Sequence, residues 1–397
     1  MRKIAASYIF AENQTLKKNA VLICENDGTI IEIVESKETF QEQSGLEYYS
    51  GILVPGFVNV HCHLELSNLL GKINEKAGIG NFIGEINRLR NEITENAEQA
   101  INVADRKMWA TGIAAVGDIS NTTKTIHTKK KSKIYYHTFV ESFGFHPDRA
   151  EKSINYARFV QNEFRDNGLK ASIVPHSAYS VSASLFSKIK ENAVSEKSIL
   201  NIHNQESKAE AQFYNDGRGP IADHLQNNLN IDISHWKPTG KSSLISVLPF
   251  LPAENRLILV HNTFTEKSDL DELKKNRSSE NTFFALCPKS NLYIENQLPP
   301  VLLFASEKLN ICLGTDSLAS NHGLSVLSEM ITIQQNFPDI KIEELLTWAC
   351  INGAKALDID DIFGSFDKGK NPGINLITGV DFKTLRFTEK SKIQRFF

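Results

Sequence analysis

Cysteine is scarce in this 397-residue chain, and its five copies do not group. Cys24, Cys62, Cys287, Cys312 and Cys350 are scattered, with no CxxC spacing. An odd, dispersed set argues against a disulfide framework and suits a reducing compartment. No apolar run reaches the roughly 18 residues that a membrane span needs, and the one in MRKIAASYIFAENQ is too brief for a signal peptide. A cytoplasmic protein with no membrane partner is therefore expected. The formal net charge is only −3 and no basic stripe emerges, so no nucleic-acid partner is expected either. The single strong basic cluster, KKKSK at 129–133, reads as a solvated loop ahead of a strand. Neither a GxGxxG turn nor a P-loop is present, which removes the usual phosphate-cradling folds. Internal repeats and low-complexity tracts are also missing.

What is present is alternation. The first 50 residues read as short strands, with a hairpin signal at Asn26-Asp27-Gly28. From about residue 52, apolar strand-like runs alternate with longer segments of helical period. The strands are LVPGFVNVH, GIAAVGDIS, KIYYHTFVE, KASIVPH, SILNIHN, RLILVHN, TFFALCP and NICLGTD. Near-continuous apolar strands spaced by helices imply a parallel sheet buried on both faces. Eight of them predict an α/β fold, a (β/α)8 TIM-type barrel, with chemistry at the carboxyl ends of the strands. We place that barrel at 54–357. A small β-sandwich domain is expected from both chain ends, 1–53 plus 358–397. The segment 207–250 is longer than an ordinary connection and reads as a lid over the strand ends.

Those strand ends carry the chemistry. His61 and His63 lie two apart, which in a strand puts both on one face and Cys62 on the other. Two such imidazoles can share a divalent ion at about 2.0–2.1 Å, although an HxH alone is weak evidence. The fourth strand ends in His176, the fifth in His203, the sixth in His261 and the eighth in Asp316. Singly, each has a bland reading, as a satisfied core histidine or a helix-capping carboxylate. Together, unpaired groups at one edge would carry a heavy desolvation cost, which a metal removes. Glu206, three residues beyond His203, is either an exposed loop glutamate or a proton shuttle to a substrate nitrogen. Six further histidines, at 127, 137, 146, 224, 235 and 322, are read as structural.

On PGFVNVHCHLE, VPHSAYSVS, IHNQE, LVHNTFT, LCPKSNLYIEN and LGTDSLASN, in this order over residues 55–321, the chain resembles the amidohydrolase superfamily, in its mononuclear deaminase and chlorohydrolase branch. The resemblance implies that His61, His63, His203 and Asp316 hold one Zn²⁺ or Fe²⁺. It implies that His261 stabilises a developing oxyanion, Glu206 protonates a ring nitrogen, and Asp316 takes the proton from water. The binuclear branch instead uses a carboxylated lysine on the fourth strand. Here that strand has its only lysine, Lys170, at the wrong end, which argues for one metal.

The pattern HxHLE with GTDxLxSN most resembles aminodeoxyfutalosine deaminases, with S-adenosylhomocysteine and adenosine deaminases of related layout. The implied substrate is a 6-aminopurine nucleoside. Glu65, His176 and Ser317 are the substrate-binding candidates, and Glu65 has the alternative of pairing locally. The runner-up is dechlorination or deamination of another small heterocycle such as a triazine, guanine or cytosine, or opening of a cyclic amide. A catalytically silent binding protein ranks below both, because every expected ligand is retained. A homodimer is expected by analogy with the family alone.

Overall fold

A computed structural model describes residues 1–11, 13–35, 44–92 and 96–397. The chain opens with β1 (Arg2–Phe10), β2 (Leu16–Lys17), β3 (Ala20–Cys24), β4 (Ile30–Glu35) and β5 (Leu46–Pro55). The Asn26-Asp27-Gly28 signal does make the β3–β4 hairpin. Gly28 sits at φ +92°, a conformation L side chains rarely adopt, and Asp27 Oδ1 accepts from the Thr29 amide at 2.9 Å.

The parallel strands follow as β6 (Phe57–Cys62), β7 (Ile113–Ser120), β8 (Tyr135–Ser142), β9 (Lys170–Pro175), β10 (Leu200–Asn204), β11 (Leu257–His261), β12 (Thr282–Leu286) and β13 (Asn310–Leu313). They match the eight runs read from the sequence. The first run is divided, however, with residues 53–55 given to β5. β6–β9 form one four-stranded parallel sheet and β10–β13 another. Isolated parallel bridges, Ser177 with His203 and Cys62 with Asp316, join the two sheets at both seams. Alternate residues enter different cores. Leu257 and Leu259 of β11 pack towards the helices, while Ile258 and Val260 join Val58, Val60 and Phe283 on the other face. This is why the strands are apolar throughout.

The chain ends with β14 (Ile374–Thr378) and β15 (Lys392–Arg395). They return to the first strands, in the order β15–β14–β5–β1–β3–β4 with β2 on β1. The expected sandwich is thus found as one seven-stranded hydrogen-bonded sheet. It has its own core of Ile4, Ile9, Leu22, Leu53, Phe366 and Leu376.

Between the parallel strands lie α1 (Gly78–Glu92), α2 (Ala97–Ala110), α3 (Ile126–Lys131), α4 (Ala150–Asp166), α5 (Ala183–Glu196) and α6 (Lys208–Asp216). Residues 93–95, between α1 and α2, lie outside the described residues. α4 shows the physics of the set. Ile154, Ala157, Val160 and Phe164 recur at helical spacing and are buried, so one stripe faces the strands. Truncating Phe164 to alanine should cost about 3–5 kcal/mol. Among the described residues no helix is long and apolar enough to cross a membrane.

The basic cluster departs from expectation. Lys129, on α3, is fully buried and ion-paired to the equally buried Asp118 of β7 at 2.6 Å. The sequence shows three lysines in a row but not that helical phase turns the first of them inward.

Candidate active site

The groups read from separate strand ends meet at one point. Nε2 of His63 lies 3.1 Å from Nε2 of His61 and 3.3 Å from Nε2 of His203. Oδ1 of Asp316 lies 3.4 Å from His63 Nε2 and 3.8 Å from His61 Nε2. The backbone brings them there. The amides of Thr315 and Asp316 donate to the His61 carbonyl at 3.0 and 3.1 Å, and the His203 amide donates to the His176 carbonyl at 3.0 Å. Gly314 permits the first approach, since a Cβ there would meet Cys287 Sγ and His61 Cβ, each at 2.8 Å. Gln205, His261, Asn262 and Asp316 all adopt positive φ, between 47° and 72°. Such conformations cost on the order of 1–3 kcal/mol each and persist where the surroundings enforce them.

This donor set fits a divalent cation. His203 Nδ1 donates to the His176 carbonyl at 2.8 Å, which leaves Nε2 as a lone pair facing the cluster. Burial holds His61 well below its ordinary pKa and His63 down to about 3. Three imidazole nitrogens and a carboxylate oxygen converge. Ligand atoms about 2.0–2.1 Å from a shared tetrahedral ion lie about 3.3 Å apart, which is the spacing found. A second triplet, Glu141, His176 and His203, also brings ligand atoms together. It shares His203, whose Nε2 faces His63 in the first set.

Asp316 and Glu206 are pushed in opposite directions. Burial raises the Asp316 carboxyl, but His63 and His261, with hydrogen bonds from Ser290 Oγ and Ser320 Oγ at 2.6 Å each, outweigh it and hold it at about 2. Burial first, then the Asp316 charge, pushes Glu206 well above the usual carboxylate range. The two carboxyls are thus pushed apart, the separation that acid–base pairs need. Glu206 Oε1 lies 3.5 Å from His261 Nε2. His261 faces Asn291 Nδ2 through Nδ1 at 3.2 Å. If Nδ1 accepts there, Nε2 carries the hydrogen, and burial keeps the ring near a pKa of 3.

The remaining candidates divide. His176 and Ser317 line the cavity above this floor. Glu65 does not: its carboxylate accepts from the amides of Asn121 and Thr122 at 3.0 and 2.9 Å and from Thr122 Oγ1 at 2.6 Å. That is the local pairing offered as its alternative. Glu141, at the end of β8, was passed over in the sequence. It is buried on the cavity wall, its Oε1 accepts no hydrogen bond among the described residues although His203 Nδ1 lies 3.5 Å away, and burial raises it to about 6. Its only signal was its position at the end of the third run, KIYYHTFVE.

The cavity measures about 710 Å³, within the range of small-molecule sites. The 207–250 segment forms part of its wall through Ile221, His224, Leu225, Leu229, Ile231 and Asp232. His146 and His224, expected to be structural, also face it. His137 keeps the structural reading, with Nε2 2.8 Å from Ser172 Oγ.

The profile of the amidohydrolase family matches residues 52–394. An adenosine deaminase of Helicobacter pylori is 27% identical, over 99% of this chain and 95% of its own. Among solved structures, an aminofutalosine deaminase of Helicobacter pylori in complex with methylthio-coformycin superposes with a TM-score of 0.81 at 22% identity, covering 98% of this chain and 94% of its own. An adenosine deaminase of Xanthomonas campestris with bound zinc gives 0.74 at 19% identity, over 96% and 85%.

Proposed function

This chain belongs to the amidohydrolase family, and from that premise we propose that it hydrolytically deaminates an aminated purine nucleoside, with one divalent metal held by His61, His63, His203 and Asp316. The observation that carries the reading is the convergence of three imidazole Nε2 atoms and a carboxylate oxygen beneath a cavity that also holds Glu206 and His261. Zinc is the ion we assign, with iron(II) the alternative. We read the two bridged sheets as a closed (β/α)8 barrel over 54–357, and 1–53 with 358–397 as its small β-domain. A cytoplasmic homodimer is the expected form.

When bound, the ion supplies Lewis-acid polarisation and makes water more acidic. The chain's own groups do the rest. Asp316, held ionised, takes a proton from the attacking water. Glu206, held protonated, gives its proton to the ring nitrogen beside the carbon under attack. His261 Nε2 offers a hydrogen to the oxyanion that develops there. Asp316 then passes the water's proton to the amine and the added hydroxyl returns its remaining proton to Glu206, so the carbon–nitrogen bond breaks, ammonia leaves and a carbonyl remains. Above the floor, His176, Ser317 and Glu141 contact the nucleoside. The Glu141 oxygen that accepts no hydrogen bond among the described residues can take one from a donor such as a sugar hydroxyl.

Elemental analysis combined with ammonia release tests this reading, over adenosine and its 5′-substituted analogues, guanine, cytosine and triazines. We expect about one metal per chain and turnover confined to the aminopurine nucleosides. Turnover of only the small heterocycles would replace the nucleoside assignment. Full activity after metal removal would overturn the mechanism.

A further inference from the structure

The buried Asp118–Lys129 pair stands just behind the metal cradle. Both side chains are wholly inaccessible, and Lys129 Nζ lies 2.6 Å from Asp118 Oδ2. The ammonium also donates to Ser120 Oγ at 3.1 Å and Thr138 Oγ1 at 3.0 Å. The Tyr136 and Phe164 rings lie beneath it, at 5.5 and 4.8 Å. All three of its protons therefore have acceptors. The other carboxylate oxygen, Asp118 Oδ1, turns away from the lysine and accepts the backbone N–H of Leu64 at 2.8 Å. Leu64 directly follows His63, where β6 has ended and a short 3-10 helix begins. The ladder to β7 is irregular here, with a shift in register between Asn59 and Cys62, and Cys62 is set opposite Asp118.

We propose that Asp118 is a positioning residue: its Oδ1 pins the Leu64 amide so that His63 is preset for the metal before the metal arrives, while Lys129 supplies the counterion that lets the carboxylate be buried. A purely structural pair needs no hydrogen bond to the residue after a metal-cradle histidine. It would be as well satisfied with Oδ1 on another hydroxyl. A group that orients a metal ligand without touching the metal can set its affinity, since ligand orientation fixed in advance lowers the cost of binding. The inference rests on His63 being a ligand, so its readouts are separate from turnover.

Two double variants divide the charge from the hydrogen bond. Asp118→Asn with Lys129→Met removes both charges but leaves an oxygen for the Leu64 amide. Asp118→Leu with Lys129→Met removes the oxygen as well, with an apolar pair in its place, a replacement that buried ion pairs often tolerate. The measurements are cobalt(II) affinity by chelator competition and the visible spectrum of the cobalt(II) protein. We expect the Asn/Met protein to stay within about threefold of the unaltered chain. The Leu/Met protein should bind about 10–100-fold more weakly, with an altered spectrum. Equal affinity and spectra in both would overturn the proposal.

Should the Leu/Met protein fail to fold, hydrogen exchange in the unaltered chain decides. The peptide amide of Leu64 should be protected in both chelator-treated and metal-loaded protein. Protection that appears only with metal would mean that nothing presets His63, and would overturn the pair's role. Failure of cobalt(II) to bind the unaltered chain would instead end the metal reading, and the exchange experiment would still judge the pair.

Discussion

Two buried polar clusters lie a few residues apart in this molecule, and they are built on opposite plans. Asp118 and Lys129 bring one charge of each sign, and the lysine's hydrogens and both carboxylate oxygens are engaged by Ser120, Thr138 and the Leu64 amide. His61, His63, His203 and Asp316 bring only acceptors to their meeting point, with no cationic side chain among them. A buried cluster that holds its own counterion contributes to the fold. A buried cluster of lone pairs costs free energy until a ligand arrives. Functional sites are expected to break local rules of stability in this way.

The contrast can be broken most directly at the open cluster. Stripping the metal with a chelator should abolish ammonia release, and zinc or iron(II) should restore it. His63→Ala should likewise abolish turnover, yet in the metal-free protein its loss of stability should be smaller than that of Lys129→Met. A larger loss, read from chemical denaturation, would show that the histidines are structural after all. Next in size is Glu206→Gln, which should lower kcat by about 10²–10⁴ with metal content unchanged, as for other acid–base groups.

The closed cluster should answer in stability. Lys129→Met alone strands a buried carboxylate and should cost about 3–5 kcal/mol, whereas the Asn/Met double variant should recover most of it. Comparable losses in both would mean that a stranded carboxylate is not the source of the cost.

Acid sharpens the comparison further. Burial holds His137, remote from the metal cradle, down to about 3 from an unfolded value of 6.5. Its folded-state pKa is depressed, so the unfolded chain binds the extra proton between these values. The stabilisation is complete above 6.5 and is lost as pH falls towards 3. By about pH 5 this amounts to about 2 kcal/mol, and His137→Gln should flatten the acid slope of denaturation by about that much. The smallest expected effect is Glu65→Gln. It weakens the charged acceptor of three hydrogen bonds and should cost about 1–2 kcal/mol in thermal unfolding.

Much of the site was legible because a β/α alternation places consecutive strand ends at one edge, and the polar residue at each end stands out against an apolar run. His61, His63, His203, His261 and Asp316 were readable in this way, as was Glu206 from its position just past β10. Lys129 was not legible, because a row of lysines has the same composition whether one is buried or none. Its burial depends on α3 lying over β7 and β8, where Asp118 and Thr138 await it. Glu141 was missed because a glutamate ending a strand is ordinary in sequence. What singles it out is a buried oxygen on a cavity wall that accepts no hydrogen bond among the described residues, which appears only when neighbouring strands and α1 are in place. Glu65 had two readings, and the amides of Asn121 and Thr122 give its carboxylate local partners.

The sequence by itself determined the succession of strands and helices, the return of the chain's end to its beginning, and the residue types available at each strand end. Periodicity and turn chemistry are local, and a single chain displays them in full. Only the tertiary structure decided which of those side chains share a point in space, which oxygen accepts no hydrogen bond among the described residues, and which lysine is turned inward. These are matters of distance between residues up to 255 positions apart, such as His61 and Asp316, and distance is set by the packing of the whole.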